Sequence, residues 1–171
     1  MITDTEHYKI YSQTGIAVEN LFESYCNKNS YIKCKPTGYH SEDNVYNGID
    51  FYVDVNLYGT KYNFTVDIKS KYNRDTGNKF TIANVSRSGK PGTLQTSKAD
   101  YYGIHTTYKG VDRFYLVKAS LVKQYCATLT PKQGISGGNY YEIPIEWVAT
   151  HWTFFIRDDG KIIKTKFEKY A

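Results

Sequence analysis

Nine residues of strict alternation, Ile49 to Leu57, constrain this chain more than any other stretch. Ile49, Phe51, Val53, Val55 and Leu57 are apolar, and Asp50, Tyr52, Asp54 and Asn56 between them are polar. A period of two over that length is the pattern of a strand with one buried face. Tyr58-Gly59 follows, and Tyr62, Phe64, Val66 and Ile68 then resume the alternation, so the two runs read as a hairpin. With Tyr58-Gly59 as a two-residue turn, Val55 faces Tyr62, Val53 faces Phe64, Phe51 faces Val66 and Ile49 faces Ile68. Every apolar residue meets an apolar partner, and pattern and turn together fix the register.

That register has a consequence for charge. It sets Asp50 opposite Asp67, with Cβ atoms expected about 4.5–5.5 Å apart, and like charges so placed destabilise a sheet. Lys69 lies one step along on the same face. Two carboxylates held that close call for a bound cation or for one raised pKa. Oxygen ligands of this kind suit Mg²⁺, which takes one or two carboxylates and completes its shell with water and phosphate oxygens. A lysine beside such an ion can orient or deprotonate an attacking water, or stabilise charge building on a phosphate. The plainer reading is a solvated sheet face with a surface ion pair of little energetic weight; the forced Asp–Asp apposition argues against it.

The rest of the chain alternates helices and strands. Gly15 to Lys28 reads as a helix with Val18, Leu21, Phe22, Tyr25 and Cys26 in one stripe and Thr14 as N-cap. Tyr31 to Lys35 reads as a short strand and Pro36 to Gly48 as a loop. Lys79 to Val85 is a third strand, Ser86 to Gly92 a mobile basic loop, and Leu94 to Ala99 a helical turn. Tyr101 to Thr106 and Arg113 to Lys118 are further strands, and Ser120 to Thr128 a helix capped by Ser120. Tyr140 to Ile145, Thr153 to Arg157 and Lys161 to Lys166 complete an α/β pattern. No repeat, linker or low-complexity tract divides the 171 residues, a length suited to one domain.

Asp50, followed across the hairpin by Asp67-Ile68-Lys69, resembles the PD-(D/E)xK nuclease superfamily, which includes type II restriction endonucleases and archaeal Holliday-junction resolvases. The helix "GIAVENLFESYC" with its acid Glu19 is similar to that family's first core helix. "GIDFYVDV" resembles its metal-binding strand, and "QTSKADYYGIH" the approach to its fourth core strand. The likeness spans roughly residues 12 to 118. It departs from the family in two places: Ile49 stands where a proline is usual, and the second acid is Asp67 rather than the more frequent Glu. The resemblance implies a restriction-endonuclease-like core, a mixed central sheet flanked by helices. That core would occupy residues 12–128, with the C-terminal strands or helix of 139–167 appended to a single domain. It implies a Mg²⁺-dependent endonuclease, with Mn²⁺ able to substitute. Asp50, Asp67, the Ile68 carbonyl and Glu19 would hold the metal, Lys69 would position or activate the water, and the product would carry a 5′-phosphate. Glu23, one turn beyond Glu19, is the alternative helix acid.

Other signals are weaker. Lys plus Arg exceed Asp plus Glu by 22 to 17, which is compatible with a polyanion without requiring one. Lys71, Arg74, Arg87, Lys90 and Lys98 are candidates for sequence-independent phosphate contacts; Gln95 reads as an ordinary polar residue. "SRSGKPG" lacks the spacing of a nucleotide-binding loop, so no nucleotide cofactor is expected. Cys26, Cys34 and Cys126 form no CxxC pair and suggest neither disulfides nor structural zinc. His7, His40, His105 and His151 show no metal-binding spacing. No apolar run reaches membrane length and no signal peptide is evident, so the expected compartment is the cytoplasm, or a host's cytoplasm if the richness in Tyr, Asn and Lys reflects a phage gene. The expected partner is DNA before RNA, with a homodimer as one route to cutting both strands. A non-catalytic nucleic-acid-binding or interaction protein that keeps the fold is the alternative.

Overall fold

A computed structural model describes residues 4–69, 79–108 and 110–165. Its elements in chain order are α1 (Asp4–Asn27), β1 (Ile32–Pro36), α2 (Glu42–Val45), β2 (Phe51–Leu57), β3 (Thr60–Lys69), β4 (Lys79–Val85), α3 (Thr93–Thr96), β5 (Tyr101–Tyr108), β6 (Val111–Lys118), α4 (Ala119–Cys126), β7 (Lys132–Gln133), β8 (Asn139–Pro144), α5 (Ile145–His151), β9 (Phe154–Arg157) and β10 (Ile162–Lys164).

The hairpin forms in the expected register, from Leu57 opposite Thr60 to Phe51 opposite Val66. Tyr58 and Gly59 take φ of 51° and 82°, the left-handed pair that a two-residue turn needs if it is to match strand twist. Around this hairpin grows a seven-stranded sheet in the order β1-β2-β3-β5-β6-β9-β10. Only the β3–β5 neighbours are parallel; the other neighbouring pairs in this sheet are antiparallel. The sheet is therefore mixed, and helices flank it, as the sequence implied. The parallel step is made by a long crossover that carries β4, and β4 joins β8 and β7 in a second, three-stranded sheet.

Two cores result. On one face Phe22, Tyr25 and Cys26 of α1 pack on Phe51, Val53, Phe64, Val66, Phe114 and Phe154. On the other, Phe80 and Ile82 of β4, Val122 of α4, Ile143 of β8 and Val148 of α5 pack around Tyr102, Ile104, Tyr115 and Val117.

Several local expectations differ from the structure. Helix α1 continues past Thr14 to Asp4, so Thr14 is no cap. Helix α4 starts at Ala119 directly from β6, and Ser120 does not cap it; the Asp100 carbonyl accepts from the Ala119 N–H at 3.0 Å instead. The stretch read as a strand through Ile145 turns at Pro144 into α5. Toward the C-terminus, β9 pairs with β6 and β10 with β9 inside the main sheet. Residues 86–92 form a tight turn, in which Ser86 N–H donates to the Lys90 carbonyl at 2.8 Å and Gly89 N–H to the Ser86 carbonyl at 2.9 Å. Among the described residues no helix is long and apolar enough to cross a membrane.

Candidate active site

The site forms where the hairpin opens. The β2–β3 ladder ends at Phe51–Val66, and one step beyond it Asp50 N–H donates to the Val66 carbonyl at 2.9 Å. The Asp50 side chain then takes the place of a backbone partner: its Oδ2 accepts from Ile68 N–H at 2.7 Å. Its Oδ1 accepts from Asn44 Nδ2 at 3.0 Å. Asn44 is fixed in turn by α2, whose N-cap Ser41 accepts from the Asn44 N–H at 3.2 Å. Thr37 N–H closes the arrangement on the Asp50 carbonyl at 2.9 Å.

Asp67 is 4% exposed, so the polar face of β3 is covered at this end. Asp67 Oδ1 pairs with Lys69 Nζ at 2.9 Å, while Oδ2 is buried with no hydrogen-bond partner. An orphaned buried oxygen is destabilising by about 1–3 kcal/mol, more when it is charged. Tyr102, which neighbours Asp67 in the parallel ladder, has a buried hydroxyl that is likewise unpartnered. Lys69 Nζ lies 5.7 Å from the centre of its ring.

Glu19 reaches the same place from α1. Burial raises its pKa and so does the charge of Asp67, whereas a hydrogen bond from Tyr39 and the charge of Lys69 act the other way. Asp50 is pushed up to about 8, first by burial, then by Asp67 and by Glu19, against the opposing effect of the Ile68 N–H and Lys69. Three carboxylates and one lysine thus feel one another's charge. Burial and the Asp67 charge also push the Tyr102 phenol upward.

These four sequence candidates act on one another; the other described candidates are placed as follows. Ile68 contributes its N–H to Asp50, and its side chain is buried in the core on the α1 side. Lys98 lies nearby in backbone terms, its N–H donating to the Asn47 carbonyl at 2.7 Å. Arg87 and Lys90 are exposed on the turn after β4, and Lys71 and Arg74 lie outside the described residues. Gln95 is structural, donating to the Asn84 carbonyl at 2.8 Å. Asp54 faces Asn63 across the hairpin. His105 is bound to Asp112, and His40 lies beside Tyr39 at a φ of 67°. Sequence reasoning missed Tyr39, Asn44 and Tyr102. The signal for Asn44 was present in "SEDN", a capped helical turn just before the strand.

A hard divalent cation fits the donor set in part. The free Asp67 oxygen and the mutual repulsion of three carboxylates are what such an ion relieves, and Mg²⁺ needs only one or two protein carboxylates. Yet among the described residues no group of three or more Asp, Glu, His or Cys is gathered tightly enough to enclose a metal. Both Asp50 oxygens already accept protein hydrogen bonds.

No protein-family model and no curated protein matches the chain. Among solved structures it is similar to a nuclease from a fusselovirus, at 12% identity and a TM-score of 0.40, over 86% of this chain and 87% of that one. It is also similar to a bacterial homing endonuclease, at 14% identity and a TM-score of 0.34, over 84% and 77%. MepB follows at 11% identity and 0.34, over 82% and 95%. Likeness at this level carries no weight for the chemistry, which rests on the residues.

Proposed function

We propose that the chain is a Mg²⁺-dependent nuclease that hydrolyses phosphodiester bonds, with DNA as substrate. The observation that carries this reading is the convergence of Glu19, Asp50, Asp67 and Lys69 on one half-buried site around the unpartnered Asp67 oxygen. Asp67 and Asp50 would hold the ion, with Glu19 in support and the Ile68 carbonyl as a further oxygen; Mn²⁺ would serve as well. When bound, the ion supplies Lewis-acid polarisation of the scissile phosphate.

The side chains account for the rest. Ile68 N–H and Asn44 hold the Asp50 carboxylate in one orientation, so it meets substrate without reorganising. Asp67 holds Lys69 through a 2.9 Å ion pair, and the ammonium would orient water or stabilise charge on a phosphate oxygen. Water adds to phosphorus and gives up a proton to solvent, the 3′-oxygen departs and takes one up to become a hydroxyl, and the 5′-phosphate remains. Cutting both strands of a duplex calls for two such sites, hence a homodimer.

The test is a cleavage panel of plasmid, single-stranded, branched and RNA substrates with Mg²⁺ or Mn²⁺. Wild-type protein should cut, and Asp67→Ala and Lys69→Ala should each lower the rate by about 10²-fold or more without loss of fold. Absence of cleavage on every substrate refutes the enzyme. Binding without cleavage would favour the alternative, a nucleic-acid-binding module, which the two satisfied Asp50 oxygens already accommodate.

A further inference from the structure

The helix-side face of the main sheet carries a second feature, at the start of β3. An open groove of about 490 Å³ runs there between the first residues of β3 and β5, the end of β6 and the start of β9. Its floor is the stacked pair Phe64 and Phe154, with ring centres 5.1 Å apart. Tyr62 stands edge-on to Phe154 at 5.5 Å, and Tyr101 edge-on to Phe64 at 4.9 Å. Both tyrosines are only partly buried.

The charge around these rings is mainly positive. Lys61 and Lys118 line the groove, and Lys164 Nζ sits 5.6 Å over the Tyr62 ring. The lining holds one acid, Asp100, whose Oδ2 accepts from the Thr65 N–H at 2.9 Å and the Thr65 hydroxyl at 3.1 Å. It serves to clamp the β3–β5 crossover. Half-buried tyrosine rings beside ammonium groups match one ligand chemistry: a flat base joined to a phosphate. Stacking on aromatic side chains within a basic groove is how unpaired strands are held irrespective of sequence. A duplex buries its base faces and presents only its backbone to such a groove.

We infer that this groove binds an unpaired nucleotide segment, with Tyr62 and Tyr101 stacking bases and Lys61 and Lys118 meeting phosphates. It is distinct from the carboxylate site. Tyr62 and Asp67 are five residues apart along β3, roughly 17 Å, and alternation sends their side chains to opposite faces. The inference rests on the nucleic-acid reading above and narrows it, since an enzyme with such a groove engages substrates that have a single-stranded part.

The experiment separates the two readings by measuring binding in EDTA. Fluorescence anisotropy would follow a labelled single-stranded oligodeoxynucleotide, the matching oligoribonucleotide and a duplex. Wild type should bind the single strands more tightly than the duplex. Tyr62→Leu keeps apolar volume but removes the stacking ring, and should weaken single-strand binding by about fivefold or more while leaving duplex binding near wild type. Lys61→Gln should lessen the salt dependence of binding. Thermal unfolding of each variant checks that the fold persists. Equal affinity for duplex and single strand, or unchanged single-strand binding by both variants, overturns the groove. Loss of binding in the variants with no Mg²⁺-dependent cleavage by wild type upholds the groove and overturns the nuclease.

Discussion

Asp50→Asn is the most informative single change, because it removes a charge and keeps a shape. In the folded protein the Asp50 pKa is raised from 3.8 to about 8, chiefly by burial and then by Asp67 and Glu19. A shift of that size corresponds to about 6 kcal/mol at about 1.4 kcal/mol per unit. Glu19 and Asp67 can relax once their neighbour is neutral, so about 2–4 kcal/mol is expected to reach the unfolding equilibrium. The sign follows from proton linkage. Between about pH 4 and pH 8 the folded chain holds a proton that the unfolded chain has released. This contribution to stability is complete below about pH 4 and is lost as pH rises through 8. The substituted amide cannot titrate there. It has one oxygen for two donors, so either Ile68 N–H or Asn44 Nδ2 must face an amide nitrogen, a pH-independent loss of about 1 kcal/mol or more. Urea unfolding in EDTA from pH 4 to pH 9 should therefore give curves that cross, the variant weaker at pH 4 and stronger at pH 9. Mg²⁺ at pH 9 should restore wild type and do less for the variant, because a ligand of the folded state stabilises in proportion to its binding. Parallel curves for the two proteins would refute the buried, proton-holding Asp50 altogether.

Tyr25→Phe should cost about 1–3 kcal/mol in urea unfolding, since the Tyr25 hydroxyl donates to Asp112, the carboxylate that also binds His105 and Thr107 and so joins α1 to the β5–β6 hairpin. Those hydrogen bonds hold the Asp112 pKa below its usual value, so the stability they give is present above about pH 4 and is lost as pH falls below it; acid titration of Asp112→Asn should show a shallower fall. Gly138→Ala should lower the melting temperature by several degrees, because Gly138 has a φ of 73° and an added Cβ would lie 2.5 Å from the Val85 carbonyl oxygen; an unchanged melting temperature would contradict that close approach.

Legibility in this chain follows how local the determining interaction is. The hairpin register could be read because alternation and turn are set within twenty residues, and it carried Asp50 and Asp67 to one place with no knowledge of the rest. What alternation could not convey was burial. Asp67 read as one of two apposed carboxylates, with no sign of how deeply it lies; it is 4% exposed, where β5 lies beside β3 in parallel and Tyr102 falls next to Asp67. That neighbour is supplied across a long crossover whose length hides the pairing. The same holds for Tyr39, which meets Glu19 only after α1 and the loop before β2 are packed. Helix α5 escaped for a different reason: its seven residues offer two buried positions, Ile145 and Val148, too few to separate a helical from an extended period, and the apolar run before Pro144 invited extension. The basic residues were the least legible, because phosphate contact is set by position in space and not by spacing. The cations that do gather, Lys61, Lys118 and Lys164, come from three separate strands or strand ends and are joined only by the sheet. A site specified by one hairpin can be read from sequence; a groove assembled from β3, β5, β6, β9 and β10 has to be seen folded.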